Sequence, residues 1–452
     1  MRPGGIGHRS NAMHSPSAPA RQATLTGARL PARSIPILYI CEELRCCNSY
    51  WCAQEESNLH HKLRKLAFYP LNYGRMGTRF ILYRTRWNWY SGPIMPFFHF
   101  IALLPLTLFG FQSQPASTTQ VPNFQASLHG IYLTSQTVVQ KQGEDLMAEF
   151  AKLGGNMIVF DVQDSGGRLA YPSSLPISIE IDNRNDKIAD LSATVQKIHD
   201  RGYYAVARFV LFKNGFVAGK KPAWTLKRKG TKNTFVSNDG PTWLDPGNPE
   251  LKEYLTDISR EIAAAGVDEI QFDYVRFPEG GRGGYVGYNF TGDNQFSRDQ
   301  AMTNFVSEIA TELHYLGVNV GVDIFGIVVW DNVSWKVIGQ NVSELAKHVD
   351  AMYPMPYPSH FGYGWGGHKN PADEPYFFVQ ETTKKFVEQT KGTKVKIRPW
   401  LQGFAMKVTK YGPSYVREQV RSLHDIGIEE FSIWNARNDY SVSFGGLQKT
   451  RP

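Results

Sequence analysis

The feature that most constrains this chain is an alternation. From His129 onward, eight apolar, β-rich runs are separated by stretches with helical spacing. The runs cover residues 130–134, 156–162, 203–212, 269–277, 319–326, 351–357, 395–402 and 430–435. Residues 298–316 place Met302, Phe305, Val306, Ile309, Leu313 and Leu316 on one face, the spacing of a helix packed on a sheet. Asn248-Pro249 before Leu251, Leu255, Ile258 and Ile262 reads as an N-cap followed by Pro at the first helical position, and Gly266 ends that helix. Residues 188–201 repeat the pattern and stop at Gly202, while the crossover around 342–349 has the weakest helix. Eight unbroken strand–helix alternations predict parallel strands closed into a (β/α)8 TIM barrel. A doubly wound open sheet would want a Gly-rich phosphate loop after the first strand, and Ile131 to Gln136 contains no glycine.

Parity along the strands then sorts side chains by face, because alternate residues of a barrel strand meet the helices or the interior. In Glu269-Ile270-Gln271-Phe272-Asp273, the apolar Ile270 and Phe272 belong against the helices, so Gln271 and Asp273 point inward. The valines of Val318-Asn319-Val320-Gly321-Val322-Asp323 face outward and Asp323 inward. Met157-Ile158-Val159-Phe160-Asp161 puts Asp161 inside by the same logic. Arg398, Trp400 and Gln402 share one parity on the seventh strand, and Ser432 and Trp434 share one on the eighth. Carboxylates, an Arg and two Trp are therefore expected at the C-terminal mouth, where barrel active sites sit. Asp161 could equally be a structural partner of Arg208 or Arg398. Asp273 and Asp323 end neighbouring strands, and two such carboxylates repel unless the site uses them. Glycoside hydrolysis needs such a pair, one carboxylate as nucleophile or base and one carboxylic acid to protonate the leaving oxygen.

Other chemistries lack their signatures. No His-x-His follows the first strand, and no His-Glu-x-x-His or Gly-x-Ser-x-Gly occurs, so neither a metal centre nor a serine hydrolase is expected. The Gly runs after strands four and six match no nucleotide-binding pattern. They are instead interleaved with aromatics, whose faces can stack on the C–H faces of sugar rings. The Lys/Arg run from Lys220 to Lys232 reads as a solvated face.

The N-terminal part differs in kind. Residues 1–94 hold 13 Lys and Arg against 4 Asp and Glu, while the remainder balances to within one charge. The overall +8 therefore belongs to the leader and gives no basic nucleic-acid surface on the globular part. All four Cys lie between Cys41 and Cys52, at spacings that fit no zinc site, and the barrel has none. Residues 1–94 are expected to be disordered or to come from translation upstream of the true start. The apolar run Phe97 to Phe109, broken by Pro105, is too short for a stable membrane span and has the length of a signal-peptide core. It predicts export to the periplasm or beyond, with 95–121 as signal-like segment and linker, 122–446 as barrel and 447–452 as tail.

Two blocks then resemble a family. Trp243-Leu244-Asp245-Pro246-Gly247-Asn248-Pro249-Glu250, followed by Asp268 through Asp273-Tyr274-Val275-Arg276-Phe277-Pro278, is similar to the glycosyl hydrolase barrel domain found in many bacterial genomes. Gly321 to Gly326, Tyr353 to His360 and Arg398 to Gln402 resemble its later blocks in the same order. The likeness runs from about residue 128 to 446 and implies a glycosidase-like barrel and a carbohydrate substrate; no established catalytic residue comes with it. On the residues themselves, Asp273 and Asp323 are assigned as the catalytic pair, with neighbouring-strand spacing that favours a retaining enzyme. Asp161, Arg208, Tyr274, Arg276, Tyr353, His360, Arg398, Trp400, Gln402 and Trp434 are assigned to substrate binding, with no metal and no cofactor. Arg276, turned inward, is expected to keep Asp273 ionised. A barrel that binds polysaccharide without cleaving it is the alternative.

Overall fold

A computed structural model describes residues 127–237, 243–280, 287–331 and 333–448. The leader, the signal-like segment and residues 449–452 of the tail lie outside the described residues. Nine strand segments form one sheet: β1 His129–Leu133, β2 Met157–Gln163, β3 Tyr204–Val210, β4 Glu269–Asp273, β5 Asn319–Phe325, β6 Ala351–Met355, β7 Lys396–Ile397, β8 Trp400–Gln402 and β9 Phe431–Trp434. The order is β8-β9-β1-β2-β3-β4-β5-β6-β7, and every pairing is parallel.

The two edges of that order belong to one run of chain. β7 pairs with β6 and β8 with β9, and only Arg398-Pro399 separates them. Pro399 has no N–H to give to a ladder, so the strand is interrupted there. The backbone still bridges the gap: Arg398 N donates to Met352 O at 2.8 Å, and Ser432 N donates to Pro399 O at 2.9 Å. Counting β7 and β8 as one, eight parallel strands close into the predicted barrel.

Helices fill the crossovers: α1 Lys141–Lys152, α2 Leu191–His199, α3 Pro249–Ala264, α4 Arg298–Tyr315, α5 Val342–Leu345, α6 Pro375–Gln389, α7 Pro413–His424 and α8 Ser441–Leu447. Their starts follow local chemistry. Asn248 Oδ1 accepts from Leu251 N at 2.9 Å ahead of Pro249, Asp190 Oδ1 accepts from Ala193 N at 2.8 Å, and Ser297 with Gln300 forms a capping box on α4. The four-residue α5 is the weak crossover that its sequence predicts.

Parity holds strand by strand. Ile158, Phe160, Ile270, Phe272, Val320, Val322 and Ile324 belong to the core between sheet and helices. Tyr132, Met157, Val159, Val206, Tyr353 and Trp400 form a second, interior cluster. Beneath the mouth the interior is polar. Arg398 Nη1 donates to Glu269 Oε2 at 2.6 Å, Tyr353 OH donates to Glu269 Oε1 at 2.6 Å, and Arg398 also pairs with Glu430. Gly321 leaves room for this floor, since a Cβ there would stand 2.4 Å from Glu269 Oε1 and 2.7 Å from Tyr353 Cε2. Gly321→Ala is therefore expected to destabilise the barrel by about 1–3 kcal/mol, the usual cost of overpacking. Denaturant unfolding measures it, and an unchanged midpoint would show that the floor can yield.

Candidate active site

Three inward carboxylates gather round one cation. Arg208, on β3, is only 5% exposed. Its Nη2 donates to Asp273 Oδ2 at 2.5 Å and its Nε to the same oxygen at 3.1 Å. Its Nη1 donates to Asp161 Oδ1 at 2.5 Å, and its Nε stands 4.0 Å from Asp323 Oδ2. The distances of 3.1 and 4.0 Å from one nitrogen cap the separation of the Asp273 and Asp323 oxygens at about 7 Å. That cap overlaps the roughly 5–9.5 Å over which glycosidase carboxylate pairs operate.

One guanidinium cannot neutralise three buried carboxylates, so their protonation must differ. Asp323 is 2% exposed, and its carboxyl is held well above the usual range, first by burial and then by the charge of Asp273. Arg208 and the Trp400 indole, whose Nε1 donates to Asp323 Oδ1 at 2.8 Å, pull the other way without cancelling this. Asp161 is also pushed up by burial, opposed by Arg208 and by Tyr132, whose OH donates to Asp161 Oδ2 at 2.5 Å. Both Asp161 oxygens are thus engaged within the protein, which makes it a holder of Arg208.

The turn out of β4 is unusual. Tyr274 has φ of 52°, in the left-handed region where a residue with a Cβ costs roughly 1–2 kcal/mol. Its N–H donates to Asp273 Oδ1 at 2.5 Å. The bend therefore gives Asp273 a second donor and turns the Tyr274 side chain to the mouth. Aromatic rings complete the wall: Trp434 stacks on Tyr132 at 4.0 Å between centroids and meets the Trp400 ring edge-on at 5.5 Å, and the Arg208 guanidinium lies 4.9 Å from the Trp434 centroid.

A cavity of about 700 Å3 opens over this group, lined by Arg208, Asp273, Tyr274, Asp323, His360, Trp400 and Trp434 among others. A second cavity of about 400 Å3 adjoins it, with Asp161, Arg208, Tyr274 and Trp434 in its wall. Asp161, Arg208, Asp273, Tyr274, Asp323, His360, Trp400 and Trp434 are thus brought together. Arg276, Tyr353, Arg398 and Gln402 line neither cavity. Tyr353 and Arg398 belong to the floor. Gln402 ties loops, accepting from Ser359 N at 3.1 Å and donating to Phe404 O at 2.9 Å. Arg276 packs among the rings of Phe325, Trp243 and Tyr274 at 4.5, 4.8 and 5.4 Å. The cation beside Asp273 is Arg208, not Arg276. Among the described residues no cluster of three or more His, Cys, Asp or Glu is arranged to hold a metal ion, and no helix is long and apolar enough to cross a membrane.

Sequence reasoning missed two tyrosines. Tyr132 shares inward parity with Gly130 on β1, a signal that was there to read. Tyr357, in the Tyr-Pro-Met-Pro-Tyr-Pro block, lines the larger cavity; burial and then the charges of Asp323 and Asp273 push its hydroxyl far up, so it stays protonated.

Comparison with known proteins agrees with this architecture. No curated protein matches the chain. The glycoside hydrolase domain of PgaB (BpsB) from Bordetella bronchiseptica superposes with a TM-score of 0.53 at 14% identity, over 72% of this chain and 99% of that one, which is a likeness of fold. A hypothetical protein from Ruminiclostridium thermocellum ATCC 27405 is 28% identical over 43% of this chain and 96% of that one, with a TM-score of 0.38. Residues 130–440 match the model of a family described as "Putative glycosyl hydrolase domain", which covers the barrel from β1 to the turn before α8, and the chain belongs to that family.

Proposed function

We propose that the protein hydrolyses glycosidic bonds, with Asp323 as acid/base and Asp273 as nucleophile. The observation that carries this is the unequal treatment of the two carboxylates by Arg208. Asp273 accepts two of its N–H groups, whereas Asp323 lies 4.0 Å away and is kept protonated by burial and by its neighbour's charge. A carboxyl raised by its surroundings beside a carboxylate bound by a guanidinium is the arrangement that acid and nucleophile roles require. In the first step Asp323 gives its proton to the leaving oxygen as Asp273 attacks the anomeric carbon. In the second, Asp323 takes a proton from water as the glycosyl–Asp273 ester is hydrolysed. Retention follows from this scheme, and the ceiling of about 7 Å admits the roughly 5–5.5 Å of retaining enzymes while excluding most of the roughly 6.5–9.5 Å of inverting ones.

Three outcomes test this reading. Asp273→Asn is expected to abolish turnover of aryl glycosides while the protein stays folded. Asp323→Asn should lower kcat/KM about 10²–10⁴-fold on substrates with poor leaving groups and much less on nitrophenyl glycosides, whose departure needs no acid. Equal losses on both substrate types, or a first product of inverted anomeric configuration seen by NMR, would overturn the role assignments.

The pH dependence has a definite sign. Asp323 must be protonated to act as acid, so kcat/KM falls as pH rises through its elevated pKa. The Trp400 N–H stabilises the ionised form, so Trp400→Phe should raise that pKa and move the alkaline limb to higher pH. A limb that stays in place in this variant would show that another group sets it.

Trp434, half-buried and common to both cavities, is the ring placed to stack on a sugar. Trp434→Ala is expected to weaken oligosaccharide binding by about 1–3 kcal/mol in calorimetry with the inactive Asp273→Asn chain. Unchanged affinity would make the ring a packing element of Tyr132 and Arg208.

A further inference from the structure

The mouth is divided unequally. The larger cavity is walled by rings and apolar groups from loops after β5, β6, β8 and β9, including Phe325, Tyr357, Phe404 and Tyr411. The smaller is walled by small and polar groups after β1 and β2: Thr134, Ser135, Gln136, Asp164, Ser165 and Gly166, with Lys187 beyond them. Arg208, Tyr274 and Trp434 line both. Arg208 touches Asp273 in the larger cavity and Asp161 in the smaller, so the larger cavity, which holds the reacting pair, meets the smaller at the residue that binds Asp273. An enzyme that trims chain ends closes its site on one side of the scissile bond. Here binding space continues on both sides.

We propose that the mouth is a cleft that takes an extended glycan across Trp434, with sugar sites on both sides of the scissile bond, so that cleavage falls inside the chain. The inference rests on the hydrolase reading above and deepens it. The two compartments recognise sugars differently. The larger offers stacking surfaces for the C–H faces of the rings. The smaller adds hydrogen-bonding groups for hydroxyls to the rings of Tyr132, Tyr274 and Trp434 in its wall. Asp161 lines this compartment too and accepts one hydrogen bond on each oxygen, from Arg208 and from Tyr132. The groups placed for the task are the Gln136 amide, the Ser165 hydroxyl and the Lys187 ammonium, the last 3.9 Å from Asp164. Lys187 and Asp164 offset one another, which suits a neutral, hydroxyl-rich sugar in this compartment.

The test uses the full chain and soluble polymers of differing linkage: xylan, a β-1,3-glucan, an α-1,4-glucan and chitosan. Products are read by mass in the first few per cent of conversion, together with viscosity. On the polymer that is cleaved, the expected result is a ladder of oligosaccharides from the earliest time, with viscosity falling ahead of the rise in reducing ends. Release of only mono- or disaccharide from the start would overturn the cleft while leaving the hydrolase reading intact. No cleavage of any polymer or aryl glycoside above the Asp273→Asn background would overturn both. Ser165→Trp, which fills the smaller compartment from its exposed rim, should reduce internal cuts about tenfold and shift the ladder, equivalent to about 1.4 kcal/mol of lost transition-state binding. The milder Gln136→Ala should shift the same ladder with the same sign. An unchanged ladder in both folded variants would show that the smaller compartment binds no sugar.

Discussion

Much of the site depends on where one positive charge is placed. Arg208 is buried at the centre of the barrel mouth, and its guanidinium spends its donors unequally on Asp161, Asp273 and Asp323. A buried guanidinium is tolerable only when its charge is matched, and three carboxylates more than match it. Burial and the charge of Asp273 raise the Asp323 carboxyl well above its usual range, and burial raises Asp161. The unequal surroundings of Asp273 and Asp323 are therefore a product of the packing round β3. Tyr132 and Asp161 matter to the chemistry because they fix the far end of that guanidinium.

A second cation, Arg398, makes an instructive contrast. It too is inward and surrounded by acceptors, but Glu269, Glu430 and Tyr353 satisfy it beneath the mouth, and it lines neither of the two cavities. Its partners make it a fixed part of the barrel. The two networks show that an inward charged residue in this fold becomes chemically available only where strand ends leave space over it.

This bears on what the sequence could reveal. The period-two pattern assigns each strand residue to a face, and Asp161, Asp273 and Asp323 all lie on the face so assigned. The strands themselves fall within a few residues of their expected ranges, because apolar runs and helix caps are local signals. Height within the barrel is not local. Tyr353, Arg398 and Gln402 share the right face, yet stagger and partner choice put them in the floor or in a loop tie rather than at the cavity. Arg276 stands three residues past Asp273, on the parity of Ile270 and Phe272, so the strand pattern itself weighs against an inward turn. Arg208 as the partner of Asp273 follows from the pairing of β3 with β4, consecutive strands of the predicted barrel, and is missed when Arg208 is weighed only against Asp161.

The interruption at Pro399 has a consequence for how the barrel wall is joined. β8 is bonded to β9 on one side, and on its other side the ladder from β6 has already ended with β7. The backbone of Gln402 is served instead by a side chain. Gln419 of α7 accepts from Gln402 N at 2.8 Å and donates to Gln402 O at 3.0 Å, and it is fully buried. One primary amide thus reproduces the donor–acceptor pair of a missing neighbour strand. The helix is stitched to the sheet by the same currency that joins strand to strand, and the wall that carries Trp400 is completed from outside the sheet.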